Sequence, residues 1–246
     1  MKKLPFLSLF LFFILSFAQI CAQANDYQTQ INNAEENFKN GNFAAAAEIY
    51  ESLISVEKVN NPFVYYNLAN AYYRNGNLGE AVLNIEKAYR LLPRDADIKN
   101  NRKYLRSLAG AKEDFLKDFF TGTFSLNELS AACFILIALL LSAGAFKKNV
   151  LRNRIITVCA VLLAPLLLWT SYKIKVELLS GEAVAVQTLT VRSGPGENNP
   201  EIFEINEGKT VNIISENAGW SAISVVSDGE TLKGWAESKN LAAING

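Results

Sequence analysis

The chain is 246 residues long, half of them hydrophobic, with 24 basic and 24 acidic side chains and no histidine. Without imidazole it has no Ser-His-Asp or Cys-His nucleophile, and it lacks the commonest zinc and iron ligand sets. The three cysteines, Cys21, Cys133 and Cys159, all fall in apolar runs, so no disulfide framework is expected in a soluble part. No G-x-x-x-x-G-K loop supports nucleotide binding. No catalytic, metal-binding or cofactor-binding constellation emerges, and the chain reads as non-enzymatic.

Met1-Lys2-Lys3 is a basic start, Leu4–Phe17 a short apolar core, and Ala22-Gln23-Ala24 a small-x-small cleavage pattern. Residues 1–24 therefore read as a signal peptide. Acylation of Cys21 is a competing reading, against which the bulky Ile20 stands, and an uncleaved anchor is a third. All three export the segment that follows.

From Tyr27 to about Leu108 apolar residues recur at three and four, the helical spacing. Asn40-Gly41-Asn42-Phe43 and Asn75-Gly76-Asn77-Leu78 are near copies, one repeat of a helix–turn–helix unit apart. Pro62–Pro93 resembles a tetratricopeptide repeat, with Tyr65, Leu68, Ala69, Tyr72, Gly76, Leu78, Ala81, Ile85, Ala88 and Pro93 at the signature places. The first unit, Tyr27–Lys58, is looser: Ala34, Gly41, Phe43, Ala46 and Tyr50 fit, while Asn33 and Asn37 replace apolar residues. A closing helix is expected after an Asp95 cap, with Ile98, Leu105 and Leu108 covering the stack. Residues 25–110 thus form an expected domain of five helices. The resemblance implies a protein-binding groove lined by Phe63, Tyr66, Asn70, Tyr73 and Arg74, with Ile31, Glu35 and Phe38 from the first unit. Ordinary half-buried packing is the competing reading for Tyr66 and Tyr73.

Residues 111–124 form an amphipathic joint. Phe115, Leu116, Phe119 and Phe120 share one side, and Glu113, Asp114, Lys117 and Asp118 the other, as in a helix lying at a membrane interface. Ser125 and Glu128 make a capping box at the head of the first of two charge-free stretches, Leu129–Phe146 and Ile155–Tyr172. Each stretch, with its flanks, can cross a bilayer core of about 30 Å. The expected transmembrane helices are 125–146 and 155–173, with 155–173 kinked at Pro165. The link 147–154 carries Lys147, Lys148, Arg152 and Arg154, which the positive-inside rule keeps in the cytoplasm. Both soluble parts then lie on the exported side. With no ionisable group deep in either stretch, ion transport is not expected.

Residues 181–246 alternate like strands and are acidic, with Arg192, Lys209, Lys233 and Lys239 as their cations, the wrong sign for nucleic acid. Leu189-Thr190-Val191-Arg192-Ser193-Gly194-Pro195-Gly196 resembles the opening motif of bacterial SH3 domains, and Gly208, Gly219-Trp220, Asp228-Gly229, Gly234-Trp235 and Leu241 continue the match. The resemblance implies a five- or six-stranded barrel. Its binding motif would be Arg192, Gly194, Pro195, Gly196, Trp220 and Trp235, and its ligand a protein or peptidoglycan. The competing reading is that these residues only build the turn and the core.

The fold class is therefore multidomain: all-α tetratricopeptide repeats, a two-helix transmembrane hairpin and an all-β SH3-like barrel. In this order the modules resemble the BatE type of the Bat aerotolerance family of bacterial membrane proteins. That resemblance implies an inner-membrane location with both soluble domains in the periplasm. It also implies von Willebrand A-type Bat proteins and a MoxR-type ATPase as partners.

Overall fold

The computed structural model describes residues 26–111, 115–144, 149–227 and 229–245. Residues 1–24, expected to be a signal peptide, and the lysines Lys147 and Lys148 lie outside the described residues. The chain divides into two compact units between Gly76 and Asn77.

The first unit is a three-helix body: α1 over residues 26–39, α2 (Phe43–Ser55) and α3 (Pro62–Arg74). Gly41, at φ +80°, stops α1, and the Asn42 N–H reaches back to the Asn37 carbonyl at 2.9 Å. That backbone needs the left-handed conformation which glycine adopts without strain. The α3 start is written locally too. Pro62 occupies the first turn, where its missing N–H costs nothing, and the Asn61 side chain accepts from Phe63 N. Ala34, Ala46, Ala47 and Ala71 let the helices approach closely around Tyr50, Leu53, Val64 and Leu68. Phe38 and Ile31 pack against this core.

The second unit begins with α4 (Leu78–Leu91) and α5 (Ala96–Leu108). Asp95 caps α5, its Oδ1 accepting from Asp97 N and Ile98 N, both at 3.0 Å. Ile98 and Leu105 are buried on α5, but Leu108 is 47% exposed. The helix stops at Leu108, and its successor Ala109 turns inward instead, toward Gly208. Next come α6 (Phe115–Gly122), α7 (Leu126–Gly144) and α8 (Val150–Glu177). Ser125 and Glu128 close the capping box reciprocally, at 2.9 and 3.2 Å. The two apolar helices pack as a pair, and Leu126–Ala143 and Val150–Glu177 are long and apolar enough to cross a membrane. Helix α8 is longer than its apolar stretch. It starts inside the basic link, where Asn149 Oδ1 accepts from Arg152 N at 2.7 Å, and it continues through Pro165 to Glu177. Its 28 residues span about 42 Å at the helical rise.

The chain ends in one curled antiparallel sheet of seven strands, in the order β3-β2-β6-β5-β4-β1-β7. They are β1 (Glu182–Ala185), β2 (Leu189–Arg192), β3 (Glu201–Ile205), β4 (Thr210–Asn217), β5 (Trp220–Ser227), β6 (Glu230–Glu237) and β7 (Leu241–Ala243). Ala183, Ala185, Leu189, Val191, Ile205, Val211, Ile223, Val225 and Ala236 form its core. The strand number exceeds the five or six implied by the resemblance because the last residues pair back on β1, Ala183 opposite Ala243. Asn217 faces Trp220, so Ala218-Gly219 is a two-residue hairpin turn with both φ positive, +48° and +83°.

Candidate functional site

The first unit holds a cavity of about 140 Å³ lined by Glu35, Phe38, Lys39, Tyr50, Asn67 and Asn70. Helix α1 brings Glu35 and Lys39 one turn apart, and they form a loose ion pair at 3.9 Å. Tyr50 comes from α2, its ring buried and its hydroxyl hydrogen-bonded to Asn67. Burial, reinforced by the Glu35 charge and opposed by the Asn67 bond, pushes the phenol up to about 12. The phenol therefore stays neutral and serves as a polar wall rather than a charge. The cavity joins an apolar wall from Phe38 to amide groups from Asn67 and Asn70, which suits a side chain and the backbone beside it.

Of the residues expected to line a groove, Asn70, Glu35 and Phe38 meet at this cavity. Phe63 stands exposed at the head of α3, and Tyr66 and Tyr73 are half-buried. Arg74 lies with its guanidinium 4.8 Å from the Phe43 ring centre, and Phe43 in turn meets Phe38 edge-on at 5.2 Å. Ile31 packs on the core rather than the cavity. Sequence spacing misses Tyr50, which reaches the cavity from α2 rather than from α1 or α3, and Asn67, which stands on α3 one turn before the expected Asn70.

In the β-sheet, Arg192 braces its own loop. One guanidinium nitrogen donates to the carbonyls of Glu197 and Asn199 at 3.0 and 2.9 Å, and the other to Glu201 Oε1 at 2.9 Å. The Asn199 amide donates to the Pro195 carbonyl at 2.9 Å, and Gly196 sits at φ +118°. A side chain at Gly194 would meet Asn199 Oδ1 at 2.9 Å. Arg192, Gly194, Pro195 and Gly196 thus form a self-tied turn. Trp235 pairs across from Arg192 and Ala222, Trp220 across from Asn217 and Glu237, and both indoles are half-buried.

A third arrangement, invisible in the sequence, is a polar seam inside the second unit. Glu86 of α4 is buried and accepts from Arg102 Nε at 3.0 and 2.9 Å and from Arg106 at 3.3 Å. Arg102 also donates to Asp118 at 3.0 Å, and its guanidinium lies 4.1 Å from the Tyr89 ring centre. Burial alone would raise the Glu86 carboxyl, but Arg102 and Arg106 outweigh it and hold the group below the usual carboxylate range. Burial likewise opposes the Arg102 charge, and Glu86 and Asp118 overcome it. A second knot is centred on Glu182 of β1. Arg90 of α4 donates to it at 2.8 Å, Lys117 of α6 also pairs with it, and Arg90 reaches the Glu177 carbonyl at 2.8 Å. Lys173, fully buried, pairs with Glu177 at 2.7 Å and donates to the Thr121 carbonyl. A cleft of about 50 Å³ lies open between these groups.

The seam continues at the head of α4. Asn77 makes no side-chain cap there, and Glu207 supplies one from the β3–β4 turn, its Oε1 accepting from Gly79 N at 2.6 Å. Gly79 is needed for this approach, since a Cβ would sit 2.6 Å from Val186 Cα.

Among curated proteins none matches the chain. Tetratricopeptide repeats and SH3 domains are typically non-catalytic interaction modules, and the two apolar helices point to membrane association. Residues 62–95 match the family model of the tetratricopeptide repeat, and residues 187–242 match that of the bacterial SH3 domain.

Proposed function

We propose that the chain is a non-enzymatic scaffold of the bacterial inner membrane. It holds a repeat groove and an SH3-like domain together on the periplasmic face. The observation that carries this reading is the bonding of α4 to the barrel. Arg90 meets Glu182, and Glu207 caps α4 at Gly79. Helix α4 precedes the two apolar helices and the barrel follows them, so segments bonded in this way share one side of a bilayer. The basic link 147–154 supports the cytoplasm as the side of the bend. Fixing two interaction modules on one anchor raises their effective concentration for each other's partners.

The groove partner is a protein, engaged through Phe63, Tyr66, Asn70, Tyr73 and Arg74. In the Bat-type reading the complex contains von Willebrand A-type proteins and a MoxR-type ATPase and serves aerotolerance. A periplasm-active reporter fused at Gly246 should be active and a cytoplasm-active one silent, and the reverse result overturns the topology. Crosslinked membranes from cells carrying the intact chain should yield protein partners. Phe63→Ser, an exposed position, and the Tyr66→Ala/Tyr73→Ala pair should both reduce their recovery, and undiminished recovery removes the groove from the proposal.

The bacterial SH3 match favours a second reading, a tether to peptidoglycan. Exposed Glu197, Glu204, Glu216 and Glu230 suit the free amines of wall peptides. The whole chain in detergent should then co-sediment with purified sacculi and be released by salt.

A further inference from the structure

The least explained surface of the second unit is the outer side of α6. Phe115 and Leu116 are 79% and 65% exposed, and Phe119 is exposed beside them. The opposite side of the helix is fully engaged. Lys117 pairs with Glu182, Asp118 with Arg102, and the Thr121 carbonyl accepts from buried Lys173. An eight-residue helix held this firmly on its polar side presents its apolar side by construction.

That side belongs to a larger aromatic sheet. Phe119 stacks on Phe115 at 6.5 Å and on Trp169 of α8 at 6.1 Å. Phe120 meets Trp169 and Tyr172, both at 5.5 Å, and Phe124 meets Trp169 at 5.6 Å. The Trp169 indole N–H, which would be costly to leave unpaired in lipid, donates to the Phe120 carbonyl at 2.9 Å. Through Trp169 and Tyr172 the patch reaches the exposed Leu167 and Leu168 of α8, and through Phe124 it leads to the head of α7. At its border stands a polar marker, Arg94 paired with Glu128 and lying over the Phe124 ring at 5.6 Å.

From this continuity we infer that α6 is a lipid-docking surface. Phe115, Leu116 and Phe119 enter the bilayer interface beside the exported ends of α7 and α8, and the α4–α5–barrel body is seated on the membrane rather than hung above it. The occupant is lipid, not a protein. The patch adjoins the exposed faces of two membrane-length helices, and its indole N–H is satisfied internally, which fits acyl chains and glycerol better than a hydrogen-bonding partner. Because α6 is tied through Lys117 and Asp118 to β1 and α5, docking sets the height of the barrel over the lipid. The inference rests on the membrane reading given above.

The test places a photoreactive phenylalanine analogue, one position at a time, in the full chain in its native membrane. The positions are Phe115, Phe119, Phe134 in the middle of α7, and Phe63 in the first unit. Phe134 reports the membrane reading alone and should give lipid adducts by mass spectrometry. Phe115 and Phe119 should also give lipid adducts, and Phe63 none. Lipid adducts at Phe134 with only protein adducts, or no adduct, at Phe115 and Phe119 overturn the docking surface while leaving the membrane span intact. Loss of lipid adducts at Phe134 as well overturns both. A Phe115→Ser/Leu116→Ser variant, altered only at exposed positions, should keep its melting temperature in detergent. In nanodiscs it should lose protection from hydrogen exchange over α6, and unchanged protection counts against the proposal.

Discussion

Gly79 shows how much one missing methyl group can decide. Its Cβ would press on the Val186 backbone at 2.6 Å, and backbone cannot rotate away. Gly79→Ala should therefore destabilise the second unit by about 1–3 kcal/mol, the usual range for forced overpacking, read as a lowered melting temperature in detergent. Ala218 is the opposite case, a non-glycine at φ +48° in a two-residue hairpin turn. Ala218→Asn should stabilise the barrel, by an amount on the order of 1 kcal/mol, because asparagine tolerates the left-handed region. Glu86 carries the pH dependence. Its folded-state pKa lies below the ordinary 4.5, so its stabilisation is present above that value and is lost as pH falls through the depressed one. Melting temperature should drop on acidification, and Glu86→Gln should flatten that part of the profile. At neutral pH the same substitution leaves Arg102 with Asp118 as its remaining carboxylate partner, a loss of about 1.5–3 kcal/mol, the scale of a hydrogen bond to a charged group.

Signals confined to one element were legible without coordinates. The Asp95 cap, the Ser125–Glu128 box and the Gly41 and Gly76 stops at positive φ each act within a few residues, so sequence spacing alone locates them. The seam was not legible for the converse reason. Glu86, Arg102, Lys173 and Glu182 look like solvent-facing charges, and only partners on other elements make them buried. Arg102 stands between Ile98 and Leu105 on the buried side of α5, a place where apolar residues were sought. The Arg192 turn lies between these cases: its glycines and proline announce a turn, but nothing local says that the guanidinium ties it to Glu197, Asn199 and Glu201. Arg192→Ala should raise hydrogen exchange across residues 193–201 while the β4–β5–β6 meander keeps its protection, since the lost bonds are confined to that loop.

Across the whole second unit, residues far apart in the chain complete each other's ends. The N–H of Gly79 finds its acceptor 128 positions later, at Glu207, and Arg90 finds Glu182 after both apolar helices have passed. Glu207→Ala should therefore loosen the first turn of α4 as well as the β3–β4 turn, and exchange measurements should show both segments losing protection together. A consequence follows for biogenesis. While the chain emerges from the ribosome, α4 lacks its Glu207 cap until residue 207 has been made and, in the proposed topology, has crossed the lipid. Synthesis halted after α8 would leave an orphan that quality-control proteases recognise. In the proposed topology, arrival of the β3–β4 turn beside α4 thus completes the α4 end of the unit.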